Sequence, residues 1–357
     1  MTETIEDISE RRRTGVKAVR HRAVLIVVFG LLALFALFVF SLTVGPYSVS
    51  FGEAMHQIVE IITTLGKPED MSGKIIFSIR VPRSIAVMLV GAGLAIAGAV
   101  MQAMIHNPLV DPYVTGVSSG ASFGVVLFTL GASYIGSLAA YVFAPIGAIV
   151  GAVCAFMITM LVAEGAGGKA MSYVLGGVIV AAGLSAGTTL ILSFNAERIH
   201  SITAWMFGSF ASIEWDDVVI MVIPIIAILI FILIEARKLN VMLLGEDQAR
   251  YLGMDSRKYK RMMLMVSAVL TAMCVAYCGV IGFIGLVVPH LCRMVVGGDH
   301  RLLIPTSIVV GAVVLLVADI IGKSGPIGEL PIGAITSVVG VPFFIYLMLR
   351  EGRRYAM

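Results

Sequence analysis

Apolar residues run along this chain in blocks close to twenty long, separated by short polar stretches. The blocks fall at residues 24–44, 84–105, 115–131, 142–163, 172–194, 217–235, 262–280, 282–297, 302–322 and 331–349. Most are near the length an α-helix needs to cross a hydrocarbon core of about 30 Å. Their continuity excludes a β-barrel, whose strands alternate polar and apolar residues. The pattern predicts an all-α polytopic membrane protein with about ten transmembrane helices. Residues 262–297 are the tight place. One helix there would be far too long for a single crossing at about 1.5 Å per residue, two are cramped, and Gly279, Gly282 and Gly285 offer points to break. The first block follows "RRRTGVKAVRHR". It is longer than the apolar part of a signal peptide and lacks a clean small-residue cleavage site, so it reads as a retained span.

Charge orients the blocks. With ten crossings and a cytoplasmic N-terminus, 19 of the 25 Lys and Arg lie inside, whereas fusing 262–297 into one span leaves 15 inside. The positive-inside rule therefore favours ten crossings with both termini cytoplasmic. The division that follows is a tail (1–23), a permease domain (24–350) and a C-terminal tail (351–357). Residues 238–261 form a long inner loop, and 45–83, 195–216 and 323–330 lie outside. A hydrophobic fraction of 59% against 13% charged excludes a soluble domain. The net charge of +3 is topological and implies no nucleic-acid partner.

The blocks offer little chemistry. "GAGLAIAG" (91–98), Gly147 with Gly151, and Gly183 with Gly187 let helix backbones approach closely. Asp319, His290 and Glu164 lie near block ends, and no block carries a charge at its centre, which argues against a carrier coupled to protons or sodium. Cys154, Cys274, Cys278 and Cys292 all sit in apolar runs without a His or carboxylate beside them, so they read as small buried hydrophobes rather than a metal site. "IGKS" (321–324) lacks the first glycine of a phosphate loop, since position 317 is Val317. The chain has no nucleotide site of its own, no catalytic residues and no cofactor.

Five stretches then carry a resemblance: residues 80–124 from "RVPRSIAVML" to "SSGASFG", "AWMFGSF" (204–210), "LLGEDQARYLGM" (243–254), "GFIGLVVPHLCRMVVGGDHRLLIP" (282–305), and "ADIIG" with "ELPIGAITSVVGVPFF" (318–344). In this order they resemble the FecCD-type permeases, the membrane subunits of ABC importers for ferric siderophores, haem and vitamin B12. The resemblance implies a homodimer with a central pathway, two copies of a cytoplasmic ABC ATPase and an extracytoplasmic substrate-binding protein. It places ATPase coupling on Leu244, Gly245, Glu246, Asp247, Ala249, Arg250, Leu252 and Gly253, within an inner loop expected to form two short helices. Glu246 and Asp247 suit the first turn of the first helix, where the helix dipole favours anions, and Asp255 or Ser256 can cap the second. Ala249 and Leu252 supply an apolar face for a partner. The basic residues after Asp255 have the alternative role of holding anionic lipid.

The resemblance also places binding-protein docking on Arg80, Arg83 and Lys323, the last a lysine where relatives carry a planar arginine fork. Snorkelling at the membrane edge is the plain alternative for the two arginines. An inner gate is implied at Ala170, Met171 and Ser172, where relatives show Ser or Thr. Asn107, Pro108, Asp111 and Pro112 read as a rigid turn. The competing functions are an ion-coupled secondary carrier, an oxyanion (molybdate-type) permease of the same fold, and a scaffold without transport. The substrate expected first is a ferric siderophore, then cobalamin or haem.

Overall fold

The computed structural model of the chain describes residues 5–355 apart from 48, 65–67, 69, 134–136, 196–198 and 326–327. The outermost residues of both expected tails, 1–4 and 356–357, thus lie outside the described residues. The described residues form helices and no strand. The first four are α1 (Ile5–Ser41), α2 (Phe51–Thr64), α3 (Met71–Ile75) and α4 (Val81–Ile105). After a 3-10 turn (Pro112–Thr115) come α5 (Val117–Ser133), α6 (Ser137–Gly165), α7 (Ala170–Ser193), α8 (Ile199–Met206) and α9 (Trp215–Met242). The last five are α10 (Glu246–Tyr251), α11 (Ser256–Cys278), α12 (Ile284–Val296), α13 (His300–Lys323) and α14 (Ile332–Tyr355).

Seven segments are long and apolar enough to cross a membrane: Lys17–Ser41, Met71–Ile105, Phe143–Gly165, Ala170–Ser193, Trp215–Met242, Ser256–Cys278 and His300–Lys323. Three shorter apolar helices, Val117–Ala132, Ile284–Val296 and Ile332–Tyr346, occupy the remaining blocks. The chain does break between 278 and 284, but the expected span 282–297 is realised as a helix of 13 residues. At about 1.5 Å per residue that is roughly 20 Å, short of a full crossing. Packing against α4 and α13 covers it within the protein, where interrupted helices are tolerated. The break itself needs glycine. Gly279 has φ +70°, and a Cβ there would lie 1.9 Å from the Trp205 carbonyl oxygen.

The second span starts earlier than its apolar block. A π-helical turn (Ile76–Arg80) joins α3 to α4, so the helix runs unbroken from Met71 to Ile105. Pro82 removes a backbone donor just beyond that turn, and Trp215 Nε1 donates to the Phe77 carbonyl at 2.7 Å inside it. The described residues of 45–83 are therefore largely helical, with α2 as well as the first turns of this span.

This helix is the axis of the fold. It packs against α9, α11, α12 and α13, and 83% of its apolar window is buried against 11% for α1. Glycines set the closest approaches. A Cβ on Gly98 would sit 1.8 Å from the Gly285 carbonyl oxygen, and one on Gly91 would sit 2.4 Å from that of Gly311. Between α5 and α6, Gly120 and Gly124 face Gly147 and Gly151 so closely that a Cβ on Gly124 would meet the Gly147 oxygen at 1.9 Å. Gly183 differs from expectation. Nothing lies within 4 Å of its Cβ position, and Gly187 meets only the Phe123 ring.

Candidate functional site

The two ends of the bundle carry the polar chemistry. At one end α9 stops at Met242, and Gly245 (φ +104°) turns the chain into α10. Glu246 and Asp247 lie in its first turn. Gly253 (φ +84°) closes it, and the Asp255 carboxylate accepts from Lys258 N at 3.1 Å to cap α11. The expected second short helix is thus the first turns of the long α11. Leu244 is 58% exposed, Leu252 65% and Tyr251 91%. Ala249 is fully buried in the protein's own core. Its side chain thus points into the bundle, as the foot on which α10 stands, rather than outward as the sequence suggests. The apolar surface open to a partner is Leu244, Tyr251 and Leu252, with Asp247 and Arg250 beside it.

Beside this elbow lies the turn from α6 to α7. Gly167 and Gly168 both have positive φ (+95° and +67°) with open space around them, and Gly168 N donates to the Ala163 carbonyl at 2.9 Å. Of the three expected gate residues, Ala170 packs against the core. Met171 is 73% exposed, and the Ser172 hydroxyl donates to the Ala166 carbonyl at 3.1 Å. Turn and elbow enclose a cavity of about 730 Å³, lined by Ala170 but not by Met171 or Ser172. Lys260 stands in its wall. Its ammonium pairs with Glu246 at 2.8 Å, donates to the Gly168 carbonyl at 3.4 Å and lies 5.3 Å from the centre of the Tyr173 ring. Arg261, next along, grips Glu164 with Nε at 2.6 Å and Nη2 at 2.5 Å. Partial burial pushes the Glu246 carboxyl up, but the Lys260 hydrogen bond and charge outweigh it and hold the carboxyl below its ordinary value.

The neighbouring turns are locked. His106 Nε2 lies 2.9 Å from the Met242 carbonyl oxygen, and Asn240 bonds both Asp299 and the His300 backbone N–H. In the turn before α5, Asn107 and Asp111 accept from the Leu109 and Tyr113 backbone N–H groups. Burial pushes the Asp111 carboxyl up to about 6, opposed by backbone bonds from Tyr113 and Phe283.

At the opposite rim the three expected docking basics are all turned inward. Arg80 donates to the Leu42 carbonyl at 2.5 Å and to that of Tyr47, tying the end of α1 to the start of α4. Arg83 holds Asp319 through Nη2 at 2.9 Å and Nε at 3.0 Å, and both oxygens of Glu329 through Nη1 at 2.8 Å. Lys323 pairs with the other oxygen of Asp319 at 2.7 Å. The side chains of Arg83, Asp319 and Lys323 are 5%, 0% and 3% exposed, that of Glu329 30%. Arg83 and Lys323 thus form a charge-neutral cluster with Asp319 and Glu329, joining α4, α13 and the turn beyond it.

Sequence reasoning missed the Glu246–Lys260 and Glu164–Arg261 ties, whose separations of 14 and 97 residues carry no periodic signal. The i,i+4 spacing of Asp319 and Lys323 was readable; the Glu329 contact was not.

The FecCD transport family model matches residues 31–350. The chain is 36% identical to the hemin transport system permease protein of Yersinia pestis, over 77% of this chain and 83% of that one. It is 32% identical to the molybdate import system permease protein of Haemophilus influenzae, over 91% of this chain and 97% of that one. Among solved structures, an ABC transporter of the metal-chelate type in an inward-facing conformation superposes with a TM-score of 0.76 at 30% identity, covering 91% of this chain and 99% of that one. This chain belongs to the FecCD family and is an ABC importer permease, a multi-pass protein of the inner membrane.

Proposed function

We propose that two copies of this permease enclose a pathway for a bulky metal chelate, a ferric siderophore first, with cobalamin and haem as related cargo. A pair of separate cytoplasmic ABC ATPases drives it through the elbow, and an extracytoplasmic binding protein feeds it at the rim. About ten segments lie in the membrane, with Ile284–Val296 too short to cross alone and covered by α4 and α13; both termini are cytoplasmic, and ATP is hydrolysed by the partner. One observation carries the reading: Leu244, Tyr251 and Leu252 stand bare on and beside the short helix α10, whose own foot, Ala249, is fully buried. Apolar side chains interleaved with Asp247 and Arg250 suit a protein cleft better than a lipid face. The dimer is supported by a contrast between two poorly buried helices. The exposed face of α1 is purely apolar from Val24 to Phe40, whereas that of α7 mixes Leu175, Val178 and Ile179 with Ser185 and Thr189.

At the rim, a binding-protein carboxylate reaches Arg83 by replacing Glu329, the member of the cluster that keeps contact with water. The cargo is proposed from kinship, since the relatives include both a hemin and a molybdate permease. Leu252→Arg tests the central claim. The variant should reach the membrane in normal amount and lose co-purification of the cognate ATPase. Retention of a stoichiometric, ATP-hydrolysing partner would refute the elbow as the seat of power. The small molecule that co-purifies with the cognate binding protein identifies the cargo.

A further inference from the structure

We propose that Lys260 is a transmission latch: one ammonium that carries movement of the coupling helix α10 to the turn in front of α7. The inference rests on the reading that the elbow receives the ATPase and goes beyond it, by naming the part that hands the motion on.

The geometry points to this residue for three reasons. Its ammonium contacts two elements far apart in sequence, Glu246 on α10 at 2.8 Å and the Gly168 carbonyl in the turn at 3.4 Å. It also faces the Tyr173 ring at 5.3 Å, and Tyr173, 1% exposed, sits in the first turn of α7. The side chain is 11% exposed, so water screens these contacts far less than those of a surface lysine. In the turn it holds, Gly167 and Gly168 both take positive φ, and a Cβ at either would meet open space. Arg261 fixes the entry to that turn through Glu164, and Lys260 fixes its exit. A push on α10 that shifts Glu246 either drags the Gly168 carbonyl or breaks the bond to it, so elbow and turn do not move independently. A lysine serves because three N–H groups radiate from one atom, enough for a carboxylate, a carbonyl and a ring face together.

The test uses the complete complex with its cognate ATPase in proteoliposomes. The reporter is the maleimide labelling rate of Met171→Cys in a Cys154→Ser background, because Met171 is exposed and the other three cysteines are buried. ATP with vanadate should change that rate in the otherwise unaltered complex. Lys260→Met should keep the ATPase bound and hydrolysing while the nucleotide-dependent change shrinks roughly tenfold, within the usual range of coupling between sites. Lys260→Arg, which retains the donors, should restore it. A full response in Lys260→Met, no rescue by Lys260→Arg, or loss of the ATPase from Lys260→Met would each overturn the latch. Leu252→Arg separates the premise: if that variant keeps its ATPase, the elbow reading fails whatever Lys260 does.

Discussion

Replacing Arg83 by methionine keeps the length of the side chain and removes the charge that closes the rim cluster. Arg83 and Lys323 balance Asp319 and Glu329, and all of these four side chains except Glu329 are almost wholly buried. Without the guanidinium, Glu329 can turn to water, being 30% exposed. Asp319 cannot. It is left at 0% exposure with Lys323 alone. Breaking a buried pair from one side costs about 3–5 kcal/mol, which lowers the apparent melting temperature by roughly 4–7 °C in a protein of this size. Lys323→Met should cost less, about 2–3 kcal/mol, because Asp319 keeps two N–H bonds from Arg83. Replacing the set together (Arg83→Met, Asp319→Leu, Lys323→Met) removes the stranded charge and should recover most of the loss. Thermal unfolding of the purified protein in detergent micelles reads all three. If Arg83→Met melts with the unaltered protein, the cluster does not hold the rim, and its guanidinium is free for docking as the sequence alone implies.

Gly124→Leu should prevent a stable α5–α6 pair, since its Cβ would begin 1.9 Å from the Gly147 carbonyl oxygen, while Gly131→Ala on the same helix meets nothing and should be silent; yield of monodisperse protein in detergent distinguishes them. Ala249→Arg forces a guanidinium into a site with 0% exposure, so it should lower protein stability and ATPase co-purification together. A variant that melted normally yet lost the ATPase would place Ala249 back on the partner surface. Asp111, with its carboxyl pushed up to about 6 by burial, favours folding most when protonated. That benefit is complete below about pH 4, the ordinary carboxylate range, and lost as pH rises through 6. Asp111→Asn should therefore gain melting temperature relative to the unaltered protein at pH 8 and not at pH 4; equal shifts at both would remove the charge from the explanation.

The hydropathy pattern gave the fold readily because a membrane imposes one rule, an apolar run per helix, and each block in this chain did become a helix. Block and helix differ in extent where protein rather than lipid surrounds the backbone. The span from Met71 begins thirteen residues before its apolar block, because Arg80 is bonded to backbone carbonyls and Arg83 is paired with carboxylates inside the protein, so neither need mark its edge. The helix Ile284–Val296 falls short of a full crossing for the same reason: α4 and α13 cover what lipid could not.

The candidate site was legible as a segment and illegible as a set of contacts. Gly245 and Gly253 bracket a helix in the sequence as they do in space, because both need positive φ and glycine alone enters that region cheaply. Which face of the helix points outward was not readable. Six residues make fewer than two turns, and Ala249 and Leu252, three apart, look like one apolar face until the burial of Ala249 separates them. The rim shows the converse. Arg80, Arg83 and Lys323 stand out in the sequence because charge near a membrane demands a reason, and the carboxylates that supply it lie more than two hundred residues from Arg83. Unpaired charge in a sequence is thus a question about partners rather than a sign of an external one. A binding protein that uses this rim must first compete with Glu329, which makes Glu329→Gln the informative variant: it should strengthen docking by freeing one arm of Arg83 while Asp319 still holds the other. Weaker docking would mean that Glu329 itself meets the partner.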